Sequence, residues 1–160
     1  MTGLQTVERS DTISLAALTE EVFCDLDPVA DKHQIRLIQT EGDCTVTGSY
    51  ILLYRAVYNL VENAIKYNRP SGSVTVNIHS AESAVLEVTD TGIGISPENQ
   101  EKIFDPFYRV DKSRSRAMGG AGLGLALVSE IARQHNGQVK VTQSSEKGST
   151  IALILPKSTD

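Results

Sequence analysis

The chain has 160 residues, 40% of them hydrophobic, and 15 Lys and Arg against 20 Asp and Glu give a formal charge of −5. That length suffices for one domain with a sizeable core and makes a second full domain unexpected. The negative balance excludes broad attraction to nucleic acid or an anionic membrane, so any anion site must be local. No apolar run approaches the roughly 20 residues that cross a bilayer. The polar stretch Thr2 to Ser10 after Met1 has no signal pattern, which predicts a cytoplasmic location without membrane contact by this domain, any anchor belonging to a larger parent protein. Cys24 and Cys44 form no CxxC and sit near no His at metal-ligand spacing, so they read as reduced thiols.

In chain order, Ser14 caps a helix from about Leu15 to His33, and Ile35 to Gln39 and Thr45 to Thr47 are short strands around a turn at Gly42 and Asp43. Ser49 caps a second helix that carries Leu52, Leu53, Val57, Leu60, Val61, Ala64 and Ile65 and ends before Arg69-Pro70. Val74, Val76 and Ile78 alternate with Thr75, Asn77 and His79, and with Ala84 to Thr89 they predict an antiparallel hairpin ending at Asp90. Ser96-Pro97-Glu98 starts a short helix through Ile103 and Phe104. Val110 to Gly122 is charged, small and glycine-rich without periodicity, the composition of a mobile segment. A last helix carrying Leu125, Val128, Ile131 and Ala132 is stopped by Gly137, and Gln138 to Thr142 with Ser149 to Leu155 close the chain as a hairpin. Alternating helical and strand periods in this order predict an α/β sandwich.

The second helix is the most informative segment. At 100° per residue, Asn63, Lys66 and Tyr67 fall at roughly 40°, −20° and 80° from Asn59, one polar stripe beside the apolar face. The Asn63 carboxamide oxygen is a neutral hard ligand suited to one position of an octahedral magnesium, Lys66 adds a point charge for phosphate, and Tyr67 offers a flat ring for a purine. Glu62, at about −60°, lies just outside the stripe and reads as solvated.

Two glycine runs extend the pattern. Asp90-Thr91-Gly92-Ile93-Gly94-Ile95 follows a strand directly, and a turn alone needs only one of its glycines; close backbone approach to a ligand explains the second. A buried Asp90 carboxylate accepts the exocyclic amine of adenine but opposes the keto oxygen of guanine. One hydrogen bond to a charged group is worth roughly 1.5 to 3 kcal/mol, about one to two orders of magnitude in discrimination. The second run, Gly119 to Leu125, has four glycines in its first six positions and opens a helix whose free amides suit a triphosphate. Neither run is a Walker A sequence or a strand-to-helix GxGxxG. Between them Arg109, Lys112, Arg114 and Arg116 concentrate positive charge that neutralises phosphates if the segment closes, although Arg114 and Arg116 also fit a solvated charge run.

Taken together, NLVENAIKY at 59–67, DTGIG at 90–94, IFDPFYR at 103–109, GGAGLGLAL at 119–127 and GST at 148–150 closely resemble the N, G1, F, G2 and G3 boxes of sensor histidine kinases. From about Ile13 to Pro156 the chain is similar to the catalytic ATP-binding domain of the GHKL superfamily. The resemblance implies an α/β (α+β) two-layer sandwich with a mixed, mostly antiparallel sheet and helices on one face. It implies ATP and Mg2+ as cofactors, with Asn63 on the metal, Asn59, Lys66 and Arg109 at the phosphates, and Tyr67 beside the adenine read by Asp90. Gly92, Gly94 and Ile95 then shape the base pocket, Gly120, Gly122, Leu123, Gly124 and Leu125 the phosphate side, and Thr150 supports the base from the closing strand. Phe104 and Phe107 anchor the lid rather than touch nucleotide.

Ala121 stands where many relatives carry Thr or Ser, and Ser49 where Asp is frequent. No segment resembles the family's phosphoacceptor H-E-[LI]-[RK]-[TN]-P. His135 at a helix end reads as a dipole partner, and His33 and His79 as surface positions. Residues 1–12 are then a residual linker from a missing dimerisation domain, 13–156 the catalytic domain and 157–160 a frayed tail. The implied function is transfer of the ATP γ-phosphoryl group to a histidine on that separate domain, upstream of a response regulator. Asn59 stands where hydrolytic relatives carry a Glu base, which predicts slow hydrolysis and ranks an anti-sigma-type serine kinase low. A non-catalytic, ATP-responsive docking module is the alternative.

Overall fold

A computed structural model describes residues 11–105 and 122–158, with side chains in the final stretch from Leu125 onward. The elements are β1 (Asp11–Ser14), α1 (Leu15–Lys32), β2 (Arg36–Gln39), β3 (Thr45–Gly48), α2 (Tyr50–Lys66), β4 (Ser73–Ser80), β5 (Ala84–Asp90), α3 (Gly122–Gln134), β6 (Gln138–Ser145) and β7 (Gly148–Leu155). The main sheet runs β2-β4-β5-β7-β6, with β2 parallel to β4 and the other pairs antiparallel, and β1 pairs with β3 in a second, two-stranded sheet.

Period-two alternation sorts the sheet's faces. Val74, Val76, Ile78, Leu86, Val88, Leu153 and Leu155 are buried against Leu18, Val22 and Leu26 of α1, Leu53, Val57, Leu60 and Val61 of α2, and Val128 and Ile131 of α3. Thr75, Asn77, Glu87 and Thr89 occupy the opposite face, where Asn77 donates to Glu87 at 3.2 Å and accepts from the Thr40 hydroxyl at 2.7 Å. The expected mixed, mostly antiparallel sheet with its helices on one face is the observed architecture.

The helix ends show how side chains fix the frame. Ser14 Oγ accepts from the Ala17 N–H at 3.1 Å as predicted, but Asp43 from the following turn also accepts from Ala16 N at 2.9 Å, so α1 is capped by two segments. Ser49 Oγ caps α2 by accepting from Leu52 N at 3.3 Å.

His135 departs from its expected role. It is buried, its Nε2 accepts from the Ser49 N–H at 3.2 Å, and its Nδ1 faces the Ile131 carbonyl at 2.9 Å. These partners call for a neutral ring with the proton on Nδ1, a tautomer assigned from its hydrogen bonds. It therefore joins the end of α3 to the start of α2 rather than serving as a charge on a helix dipole. Gly48 makes room for it, since a Cβ there would fall 2.4 Å from the imidazole.

Other expectations are corrected. The left-handed residue after α3 is Asn136, at φ 61°, and Gly137 is needed because a Cβ would lie 2.1 Å from the Ile154 carbonyl. The short helix predicted after Ser96 is two single 3-10 turns, Pro97–Asn99 and Lys102–Phe104. Asp11 and Thr12, assigned to a linker, pair with Gly48 and Thr47, and Ser158, assigned to a frayed tail, donates its N–H to the Thr45 carbonyl at 2.9 Å.

Candidate functional site

β5 ends at Asp90 opposite Ser149 of β7, beside the C-terminal end of α2. The Asp90 carboxylate accepts from Gly92 N at 2.8 Å, Ser149 N at 3.2 Å and Ser149 Oγ at 2.9 Å. Burial pushes its carboxyl upward, and the donors at Gly92 and Ser149 offset only part of that shift.

The glycine run after Asp90 is fixed on both sides. A Cβ on Gly92 would fall 2.4 Å from the Tyr67 carbonyl, and Gly94, at φ 78°, would place one 2.0 Å from the Ser145 carbonyl. The second glycine is therefore required by its left-handed backbone and by the β6–β7 hairpin, a reason its spacing did not reveal. Ser144 Oγ accepts from Ile95 N at 2.7 Å and donates to Ile95 O at 3.0 Å, and Gln100 adds a third bond to the same residue. Gly148, at φ 139°, closes the hairpin with its would-be Cβ 2.0 Å from the Asp90 carbonyl.

Asn68 ties α2 to this wall. Its Oδ1 accepts from the Thr91 hydroxyl at 2.8 Å, and its Nδ2 donates to Ser73 O at 2.9 Å. The Arg69 guanidinium reaches the Glu146 carbonyl across the same end. Tyr67 has its backbone against Gly92 and a half-buried ring.

Away from this wall, the polar stripe of α2 is as the helical period predicts. Asn63 is 8% exposed, and its Nδ2 donates to the Asn59 carbonyl at 2.9 Å, which makes Oδ1 the atom turned to other partners. Asn59 and Lys66 are half-buried. Glu62, expected to be solvated, is also half-buried and lies 3.6 Å from the Lys66 ammonium. α3 is described from Gly122, which puts Gly122, Leu123 and Gly124 of the second glycine run in its first described turn, with Leu125 buried behind it. Arg109 and Gly120, together with Phe107, Lys112, Arg114, Arg116, Gly119 and Ala121, lie outside the described residues.

Thr150 does not join Asp90. Neighbouring strand residues point to opposite faces, and its hydroxyl lies 2.9 Å from that of Thr89 on the far side of the sheet. Ser149 takes the position given to Thr150; register with β5 decides between them, and the Gly-Ser-Thr sequence alone does not. Among the described residues no group of three or more His, Cys, Asp or Glu gathers as a metal cage, and no helix is long and apolar enough to cross a membrane.

This site is a half-buried carboxylate and glycine turn at one end of a polar helix face, on a sheet covered by helices on one side. The model for histidine kinase-, DNA gyrase B- and HSP90-like ATPases matches residues 48–159, and the chain belongs to this family. It is 38% identical over 157 residues to the sensor-like histidine kinase SenX3 of Mycobacterium tuberculosis (strain ATCC 25618 / H37Rv), covering 96% of this chain and 38% of that protein. It is 44% identical over 140 residues to the sensor histidine kinase RppB of Synechocystis sp., covering 87% of this chain and 30% of that one. The chain thus spans well under half the length of these curated relatives. Among solved structures, the mycobacterial sensor histidine kinase MprB superposes with a TM-score of 0.77 at 28% identity, over 92% of this chain and 97% of that one. Full-length ShkA in complex with AMPPNP gives 0.80 at 25% identity, over 96% and 32%.

Proposed function

We propose that this domain binds Mg-ATP and donates the γ-phosphoryl group to a histidine on a separate dimerisation domain of the same kinase, which then serves a response regulator. The observation that carries the reading is the Asp90 carboxylate, half-buried and held by three donors where an adenine amine is the natural further partner. The complex of ShkA with AMPPNP, an adenine nucleotide, supports it by likeness.

Asp90 reads the base, Gly92, Gly94 and Ile95 form the turn beside it, and Tyr67 flanks it. Asn59, Lys66 and Arg109 meet the phosphates, with the helix start at Gly122 to Leu125 and with Gly120. Ser149 replaces Thr150 in supporting the base. The Asn63 oxygen would take one position of a bound Mg2+, leaving the others to phosphates and water. When bound, the ion supplies charge neutralisation at the β- and γ-phosphates. The chain's own residues position the nucleotide, and Asn59 is no base for water, so transfer outpaces hydrolysis. The domain works in the cytoplasm, without nucleic acid and without touching the membrane itself.

Calorimetric titration with ATP and GTP, with and without magnesium, tests the site. We expect magnesium-dependent ATP binding, much weaker GTP binding, and a loss of roughly one to two orders of magnitude in ATP affinity in Asp90→Ala. Addition of a histidine-bearing dimerisation domain should then yield acid-labile phosphate on that domain; ATP binding without transfer would leave a docking module.

A further inference from the structure

Glu62 and Lys66 stand four residues apart on α2 with the acid toward the N-terminus, the orientation that best pairs opposite charges on a helix. Their side chains are 27% and 24% exposed, so the 3.6 Å contact is shielded from solvent more than a free surface pair. The pair lies at the stripe that holds Asn59 and Asn63, one turn after Tyr58, whose phenol is pushed up first by burial and then by the Glu62 charge. Lys66 thus has a carboxylate partner before any phosphate arrives.

We propose that Glu62 is a positioning residue that holds Lys66 in a parked ion pair, and that nucleotide phosphates bind by drawing Lys66 off this carboxylate. The inference rests on the Mg-ATP reading above. Each binding event exchanges the Glu62–Lys66 pair for a Lys66–phosphate pair, and each release restores it. Affinity is lower than an unpaired lysine would give, and the departing nucleotide leaves no uncompensated ammonium behind, which favours exchange of spent nucleotide. A pair made only for helix stability would have no such coupling to phosphate.

The test is a double-mutant cycle on the full chain, titrated with Mg-ATP and with adenosine at low ionic strength: wild type, Glu62→Gln, Lys66→Met and the double variant. We expect Glu62→Gln to bind ATP roughly two- to five-fold more tightly, the range set by ion pairs of this kind, with adenosine unchanged. In the Lys66→Met background the same substitution should have no effect, because the lysine it releases is gone. Glu62→Asp, which keeps the charge but shortens the reach, should move toward Glu62→Gln. Equal tightening with and without Lys66 would overturn the proposal and make Glu62 a simple repulsive charge. Weaker or unchanged ATP binding in Glu62→Gln would also overturn it. If the wild type binds no ATP, the nucleotide reading itself fails and the inference with it, an outcome distinct from ATP binding that ignores Glu62.

Discussion

The two ends of the candidate site are built differently. At the Asp90 end, main chain meets main chain: Gly92 abuts Tyr67, Gly94 abuts Ser145, Gly148 abuts Asp90, and Ser144 and Asn68 fasten the turn from opposite sides. On the polar stripe of α2, the described contacts are made by side chains, with Asn63 bonded to its own helix and Lys66 to Glu62. A planar base of one shape rewards a wall that is already in place, because little order has to be gained on binding. Phosphates that shift and leave during turnover call for charges that can change partners. The same α2 helix borders both ends, pinned near its start by His135 and at its end by Asn68.

The largest effect we expect comes from breaking the rigid end. Gly94→Ala combines a positive φ with a Cβ 2.0 Å from a backbone carbonyl, so the turn must move or the hairpin must open. A stability loss of more than about 2 kcal/mol in urea denaturation, with ATP binding abolished, is the expected outcome. Lys66→Met, on the adjustable stripe, should stay within about 0.5 kcal/mol of wild type in stability while weakening ATP. Similar stability losses in both would remove the contrast.

His135→Ala tests whether the stripe depends on a fixed helix start. It strips the Ser49 N–H of its acceptor and should cost roughly 1 to 3 kcal/mol in denaturation, with a smaller loss of ATP affinity. The periodicity of α2 and its Ser49 cap were readable in sequence because both are local. The buried histidine partner comes from 86 residues away, and its pairing with Ser49 exists only once α3 has packed beside α2. Asp43 as a second cap for α1, and β1 as a partner for β3, escaped the sequence for the same reason: their partners are distant and their own composition is that of a turn and a tail. The stripe and the Asp90 turn were legible because helical spacing and paired glycines are local constraints. The reason for Gly94 was not, since the carbonyl it avoids belongs to another hairpin.

Acid should sharpen the contrast further. With its carboxyl held above the ordinary range by burial, Asp90 contributes most to stability while protonated, and that contribution is lost as pH rises from the ordinary carboxylate value through the raised one. Adenine recognition has the opposite sign, because only the carboxylate accepts without also presenting a proton. ATP affinity should therefore begin to fall on acidification at a higher pH than an ordinary Asp would give, and titrations of Asp90→Asn across the same range should lose this dependence.

The smallest expected effect is the most local. Ser149 and Thr150 are neighbours with similar hydroxyls and equal burial, each 7% exposed, but strand alternation sends one to Asp90 and the other to Thr89. Ser149→Ala removes one donor from the Asp90 carboxylate and leaves the Gly92 and Ser149 amides in place, a change worth about 0.5 to 1.5 kcal/mol. ATP binding should weaken roughly two- to ten-fold and the acid onset should shift upward, since a carboxylate with fewer donors holds its proton more readily. Thr150→Val, nearly the same shape, should leave ATP affinity within about two-fold, its cost confined to the Thr89 contact on the far face. Calorimetry on the two variants side by side would decide the register of the closing strand at the site: if Thr150→Val weakens ATP and Ser149→Ala does not, the strand presents its other face to the nucleotide.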